Sequence, residues 1–112
     1  MGKRYKVVIA QSAKIDVKNK KQYILKNFKY RDYAETFSSK IKEAARELEI
    51  LPQGYRTTGF VYRSYEIYLK PAGNDLLFYT MDEAKKEVMV LRVLQDGMDW
   101  EYIIQKWIKK NS

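Results

Sequence analysis

With 112 residues and no internal repeat, the chain has the length of one domain spanning 1–112, long enough to bury a core without a disulfide or metal staple. It contains neither cysteine nor histidine, which excludes disulfides, thiolate or imidazole metal centres and a Ser–His–Asp hydrolase; no metal or cofactor is expected. The formal net charge of +8 implies an acidic partner, either nucleic acid or an acidic protein.

The N-terminal run Tyr5 to Ala10 reads as a strand and is too short for a secretion signal. No stretch approaches the ~18 apolar residues of a membrane span, so a cytoplasmic location with no membrane partner is expected. Ser12 offers an N-cap to a helix running to about Phe28. Ala13, Val17, Ile24 and Phe28 share one face of it, and Lys14, Lys18, Lys20, Lys21 and Lys26 make the rest basic. After the connector Lys29-Tyr30-Arg31, Asp32 and Glu35 have capping-box spacing. A second helix follows on the stripe Ala34, Phe37, Ile41, Ala44, Leu48 and Leu51, ended by Pro52. So short a connector predicts an antiparallel helix hairpin.

From Phe60 the period changes to two: Val61, Arg63, Tyr65, Ile67 and Leu69 alternate with Tyr62, Ser64, Glu66, Tyr68 and Lys70, which predicts one strand. Pro71-Ala72-Gly73-Asn74 is turn chemistry. Leu76 to Met81 is an apolar strand, Asp82 to Lys86 a polar hairpin loop, and Val88 to Leu94 a strand of central type, broken by Asp96-Gly97. Asp99 can cap a last helix from Trp100 to about Lys110, with Trp100, Ile103, Ile104, Trp107 and Ile108 at helical spacing. The fold class is α+β: an N-terminal strand, an antiparallel two-helix hairpin, a three-stranded antiparallel meander and a C-terminal helix. The helices are expected on one face of the sheet.

Cleavage of RNA through a 2′-hydroxyl needs a base, an acid and positive charge at the phosphate. Without histidine these roles fall to Arg56, Arg63, Glu66, Tyr68, Lys70, Tyr79 and Arg92; Arg63, Lys70, Tyr79 and Arg92 are the candidate catalytic residues. Alternation puts Arg63 and Lys70 on opposite faces of one strand unless a bulge intervenes, and each also reads as a solvated surface residue. Arg92 is the sole charge in an apolar strand and needs a partner, for which Asp99 and Glu101 are nearest in sequence. The lysines of the first helix fit a phosphate backbone or simply a wet helix face. Trp100 and Trp107, seven apart, share one core-facing stripe.

Several segments resemble the RelE/ParE toxins of bacterial toxin–antitoxin pairs: YKVVIAQSAKIDV at Tyr5, LEILPQGYR at Leu48, and GNDLLFYTMDEAKKEVMVLRVLQDGMDWE from Gly73 to Glu101. The resemblance implies a growth-arresting toxin neutralised by a cognate antitoxin, with DNA gyrase or the ribosome and its mRNA as target and no small-molecule substrate. After Leu-Arg-Val-Leu the chain reads Gln95-Asp96-Gly97-Met98-Asp99, without the arginines of the ribonuclease members. Asp75 or Leu76 also stands where those members carry a basic residue. This favours the ParE-like gyrase inhibitor. The alternatives are an mRNA endonuclease with a divergent active site and a non-toxic basic nucleic-acid-binding module. By the same resemblance Arg56, Arg92, Asp99 and Trp100 are the expected target-binding residues, while Leu76 to Met81 and the helix hairpin offer apolar surface to an antitoxin segment.

Overall fold

The computed structural model describes residues 4–28 and 31–112. Strand β1 (Lys6–Ile9) leads into helix α1 (Gln11–Phe28) and helix α2 (Arg31–Glu47). Strands β2 (Arg56–Tyr62), β3 (Tyr65–Ala72), β4 (Asp75–Asp82) and β5 (Glu87–Gln95) follow, and helix α3 (Trp100–Asn111) ends the chain. The five strands form one sheet in the order β1-β5-β4-β3-β2, with β1 parallel to β5 and the other neighbours antiparallel. Among the described residues no helix is long and apolar enough to cross a membrane.

The expected single strand from Phe60 to Lys70 is instead a hairpin, so the meander has four strands. Tyr62 pairs with Tyr65, and the two residues between them, Arg63 and Ser64, have φ of 51° and 73°. That is the left-handed geometry of a two-residue turn whose twist matches its strands. Neither residue is the glycine or asparagine that usually marks such a turn, and a two-residue turn leaves the period-two alternation unbroken.

Leu77 and Tyr79 point to one face of β4, Leu76 and Phe78 to the other, and all four are buried. Both faces therefore need a cover. Helices α1 and α2 supply Ala13, Ile24, Ala34, Phe37, Ile41 and Ala44 on one face. Helix α3 supplies Ile104, with Trp100, Ile103, Trp107 and Ile108 half-buried beside it, on the other. The expectation that all helices lie on one face thus fails at α3, for a reason visible in the unbroken apolar run of β4.

The helix ends differ from expectation in detail. Ser12 does not cap α1, which begins at Gln11; its hydroxyl donates to the Leu91 carbonyl at 2.6 Å. Ala10 accepts the first helical bond, from the Lys14 N–H at 3.0 Å. Phe28 is half exposed. Asp32 lies in the first turn of α2 rather than before it; residues 29 and 30 of the connector lie outside the described residues. Helix α2 stops at Glu47, and Leu48, Glu49 and Ile50 form i→i−3 bonds. The residue before a proline disfavours helical backbone, so Leu51 leaves the stripe and is 60% exposed. Lys20 over the Phe37 ring at 4.8 Å and Phe28 beside Tyr33 at 6.3 Å give the antiparallel register of the hairpin.

Between Phe78 and Tyr79 the β4–β5 register slips, and Leu91 is the extra residue of β5. The bulge lets Val90 and Val93 both face the helix hairpin while Leu91 and Leu94 face α3. Beyond Ile9 the outer edge of β5 has no strand beside it among the described residues. Helix α1 covers that edge: the Ser12 hydroxyl takes the Leu91 carbonyl, and one turn on, the Asp16 carboxylate accepts from the Val93 N–H at 2.9 Å.

Candidate functional site

The sequence candidates fall into three places. Lys70 and Tyr79 lie under the helix hairpin. The Lys70 amine, on a side chain only 7% exposed, donates to Glu47 of α2 at 2.7 Å and sits over the Tyr55 ring at 4.8 Å. Burial pulls its pKa down, but the hydrogen bonds to Glu47 and Tyr55 outweigh that, and the net direction is upward. Tyr79 is fully buried and donates to the Pro52 carbonyl at 2.6 Å; burial pushes its hydroxyl above the ordinary tyrosine range. Tyr68 stacks on Tyr79 with ring centroids 5.7 Å apart and donates to Glu66 at 3.3 Å. Both hydroxyls thus hold their protons at neutral pH, and the ammonium already has its carboxylate.

Arg92 lies at the β1–β5 side of the sheet. Its partner is neither Asp99 nor Glu101 but Asp16 of α1. The pair is a two-pronged ion pair, Nε to Oδ2 at 2.7 Å and Nη2 to Oδ1 at 2.9 Å, with side chains 17% and 13% exposed. Asp99 instead caps α3, accepting from the Tyr102 N–H at 3.3 Å. Asp16 escaped the sequence reading, although it is the only acidic residue in an otherwise lysine-rich α1.

The third place, on the α3 side of the sheet, brings candidates together at the surface. The Arg56 guanidinium lies 5.7 Å over the Trp100 ring, whose start Asp99 fixes by capping the helix. Trp100 contacts Phe78 at 5.5 Å and Phe60 edge-on at 6.5 Å. Further along β2, Tyr62 packs on Trp107 at 4.8 Å, and the exposed Arg63 guanidinium covers the Tyr62 ring at 5.0 Å. The result is an aromatic ridge between β2 and α3 with an exposed arginine at each end. Phe60, Tyr62 and Trp107 joined it unanticipated, because the hairpin that places β2 beside α3 was itself read as one strand. Arg92 shares a cross-sheet row with Phe78, Leu69 and Arg56, but three strand spacings, about 14 Å, separate it from Arg56.

Beside the ridge a cleft of about 190 Å³ opens between Tyr62, Tyr65, Asp82 and Glu87. Tyr65 donates to Asp82 at 2.7 Å, which holds the Asp82 carboxyl below and the Tyr65 hydroxyl above their ordinary values. The expectation that Leu76 to Met81 offers surface to an antitoxin does not hold for Leu76 to Thr80, which are buried.

Lys70 gives a direct check on the catalytic reading. Its replacement by methionine, similar in length and apolar, leaves Glu47 53% exposed and hydrated, so no buried charge is stranded. Lys70→Met is expected to change the unfolding free energy by less than about 1.5 kcal/mol and to keep biological activity. Loss of activity in a variant that melts like the wild type would return Lys70 to the site.

The family model for the ParE toxin of the type II toxin-antitoxin system, parDE, matches residues 7–100. No curated protein sequence matches the chain. Among solved structures, the fold is similar to a chain of the toxin-antitoxin complex RelBE2 from Mycobacterium tuberculosis. That match has a TM-score of 0.58 and 16% identity, and covers 87% of this chain and 97% of that one. The fold is thus the RelE/ParE toxin fold.

Proposed function

We propose, for a chain that belongs to the ParE toxin family of type II toxin–antitoxin systems, that it arrests growth in the cytoplasm by inhibiting DNA gyrase and is neutralised by a cognate antitoxin. The observation that carries the choice of target is the dispersal of the groups that RNA cleavage would need. Lys70 and Tyr79 are engaged beneath α2, and Arg92 is held by Asp16. What is exposed instead is the pair Arg56 and Arg63, whose guanidiniums lie over the half-buried rings of Trp100 and Tyr62. Arginine and aromatic side chains are the types that dominate protein–protein hot spots, which suits a protein target.

Induced expression should stop bacterial growth, and co-expression of the small reading frame next to this gene should restore it. Purified protein should inhibit gyrase supercoiling and leave mRNA on translating ribosomes uncut. Codon-positioned cleavage on the ribosome would establish the endonuclease instead. Growth unimpaired at verified soluble expression would remove the toxin reading.

A further inference from the structure

We propose that the outward face of α1 is a docking face for duplex DNA, gripping the phosphate backbone without reading sequence; this goes beyond the gyrase reading and does not depend on it. Five residues of α1 are lysine and one is acidic. The acid, Asp16, is turned inward onto Arg92 and the Val93 N–H, and Lys20 is turned onto Asp75. The other four lysines keep their charge for solvent. Lys14, Lys18 and Lys26 are exposed and Lys21 is half-buried beside them. None of the four side chains has a hydrogen bond or ion pair among the described residues.

The neighbouring helix shows what an ordinary wet face looks like in this chain. Along α2, Asp32, Glu35 and Glu43 are mixed with Lys40, Lys42 and Arg46. Mixed signs keep a surface soluble, whereas a field of one sign steers an oppositely charged partner. Lys14 also stands in the first turn of α1, which has no acidic residue. A cation there opposes the helix dipole, which favours acids at that end, so the lysine does not serve the helix itself.

Length and residue type select the occupant. From Lys14 to Lys26 the helix runs about 18 Å, the length of roughly five base pairs of duplex. Lysines are flexible point charges, suited to phosphates rather than to base edges, and the exposed amides of Asn19 and Gln22 add phosphate donors between them. An acidic protein would want an apolar anchor. Ile15 and Leu25, 46% and 42% exposed, are too far apart along the helix to form one. A single strand would want rings along the lysines on which to stack its bases. Tyr23 and Tyr33 instead pack edge-on against Phe28, at 6.4 and 6.3 Å, where the two helices meet. Helix α1 covers the face of the sheet opposite α3, so DNA held there leaves the aromatic ridge free for a protein.

The test titrates a labelled duplex of arbitrary sequence with the full chain and follows fluorescence anisotropy against salt. Four neutralised phosphates give a slope of about −3.6 in log affinity against log salt, so affinity should fall roughly 150-fold between 50 and 200 mM. Replacing Lys14, Lys18, Lys21 and Lys26 together with glutamine, which has similar helix propensity, should remove most binding at the lower salt and leave the melting temperature unchanged. The control removes as many charges elsewhere, by Lys85→Gln, Lys106→Gln, Lys109→Gln and Lys110→Gln, and should bind nearly as the wild type. Should the fourfold α1 variant fail to fold, Lys18→Gln and Lys26→Gln decide singly, each reducing the slope by about one. Equal losses in the α1 and control sets would show attraction by net charge alone and overturn the face. No binding by the wild type at the lower salt would overturn it too. So would equal competition by polyglutamate or single-stranded RNA at matched charge, which would give the face to an acidic protein or another polyanion. The gyrase reading is decided separately, by supercoiling.

Discussion

Replacing Asp16 with alanine is expected to destabilise the fold by about 3–5 kcal/mol, the cost of stranding a largely buried charge. At about 4–8 °C for each kcal/mol in a chain of this size, the melting temperature should fall by more than 10 °C. The Asp16 carboxylate accepts two bonds from Arg92 and one from the Val93 N–H, so its removal orphans three donors at once. It also unpins α1 from the open edge of β5, where among the described residues Ser12 makes the only other side-chain hydrogen bond between these elements. Arg92→Met should cost less, because the carboxylate keeps the Val93 N–H and an apolar chain refills the arginine stem. The double variant Asp16→Ala with Arg92→Met should be more stable than the sum of its parts by 1 kcal/mol or more, roughly the coupling of contacting groups. Denaturant titration of the four proteins closes the cycle. Small, additive losses would show that the pair is not a determinant of the fold and would free Arg92 for a role at the target.

The elements with strong periodicity were legible: the stripe Ala34, Phe37, Ile41, Ala44 and Leu48 is buried along α2 and just past it, and Trp100 and Trp107 both turn toward the sheet. What stayed hidden depends on long-range geometry. The partner of Arg92 lies 76 positions away, and proximity in sequence favoured the wrong carboxylates. The β2–β3 hairpin turns on Arg63 and Ser64, residue types that seldom advertise φ above zero. Missing that turn displaced β2, and with it the aromatic ridge. Of the expected target residues, Arg56, Asp99 and Trp100 converge because β2 and the start of α3 meet over Phe78. Arg92 does not join them, because a chain-distant acid claims it.

Arg56→Glu is expected to abolish growth arrest while leaving the fold intact. The guanidinium is exposed and its described contact is the face of Trp100, so the variant forfeits about 0.5–1 kcal/mol of cation–π attraction and little else in stability. Its effect on a target interface should be far larger, since a hot-spot arginine is worth 2 kcal/mol or more, roughly thirtyfold in affinity, and a carboxylate in its place adds repulsion. Trp100→Ala would not discriminate, because that ring packs on Phe60 and Phe78 and truncating a packed tryptophan costs about 3–5 kcal/mol. Arg63→Glu probes the far end of the ridge, where the exposed guanidinium lies on Tyr62. The measurements are growth after induction at matched soluble levels, melting temperature, and inhibition of gyrase supercoiling by the purified proteins. With Lys70→Met beside them, a ridge that meets the target predicts two harmless arginine variants and a lysine variant that still kills. Arrest by Arg56→Glu and Arg63→Glu at wild-type potency would move the target surface off the ridge.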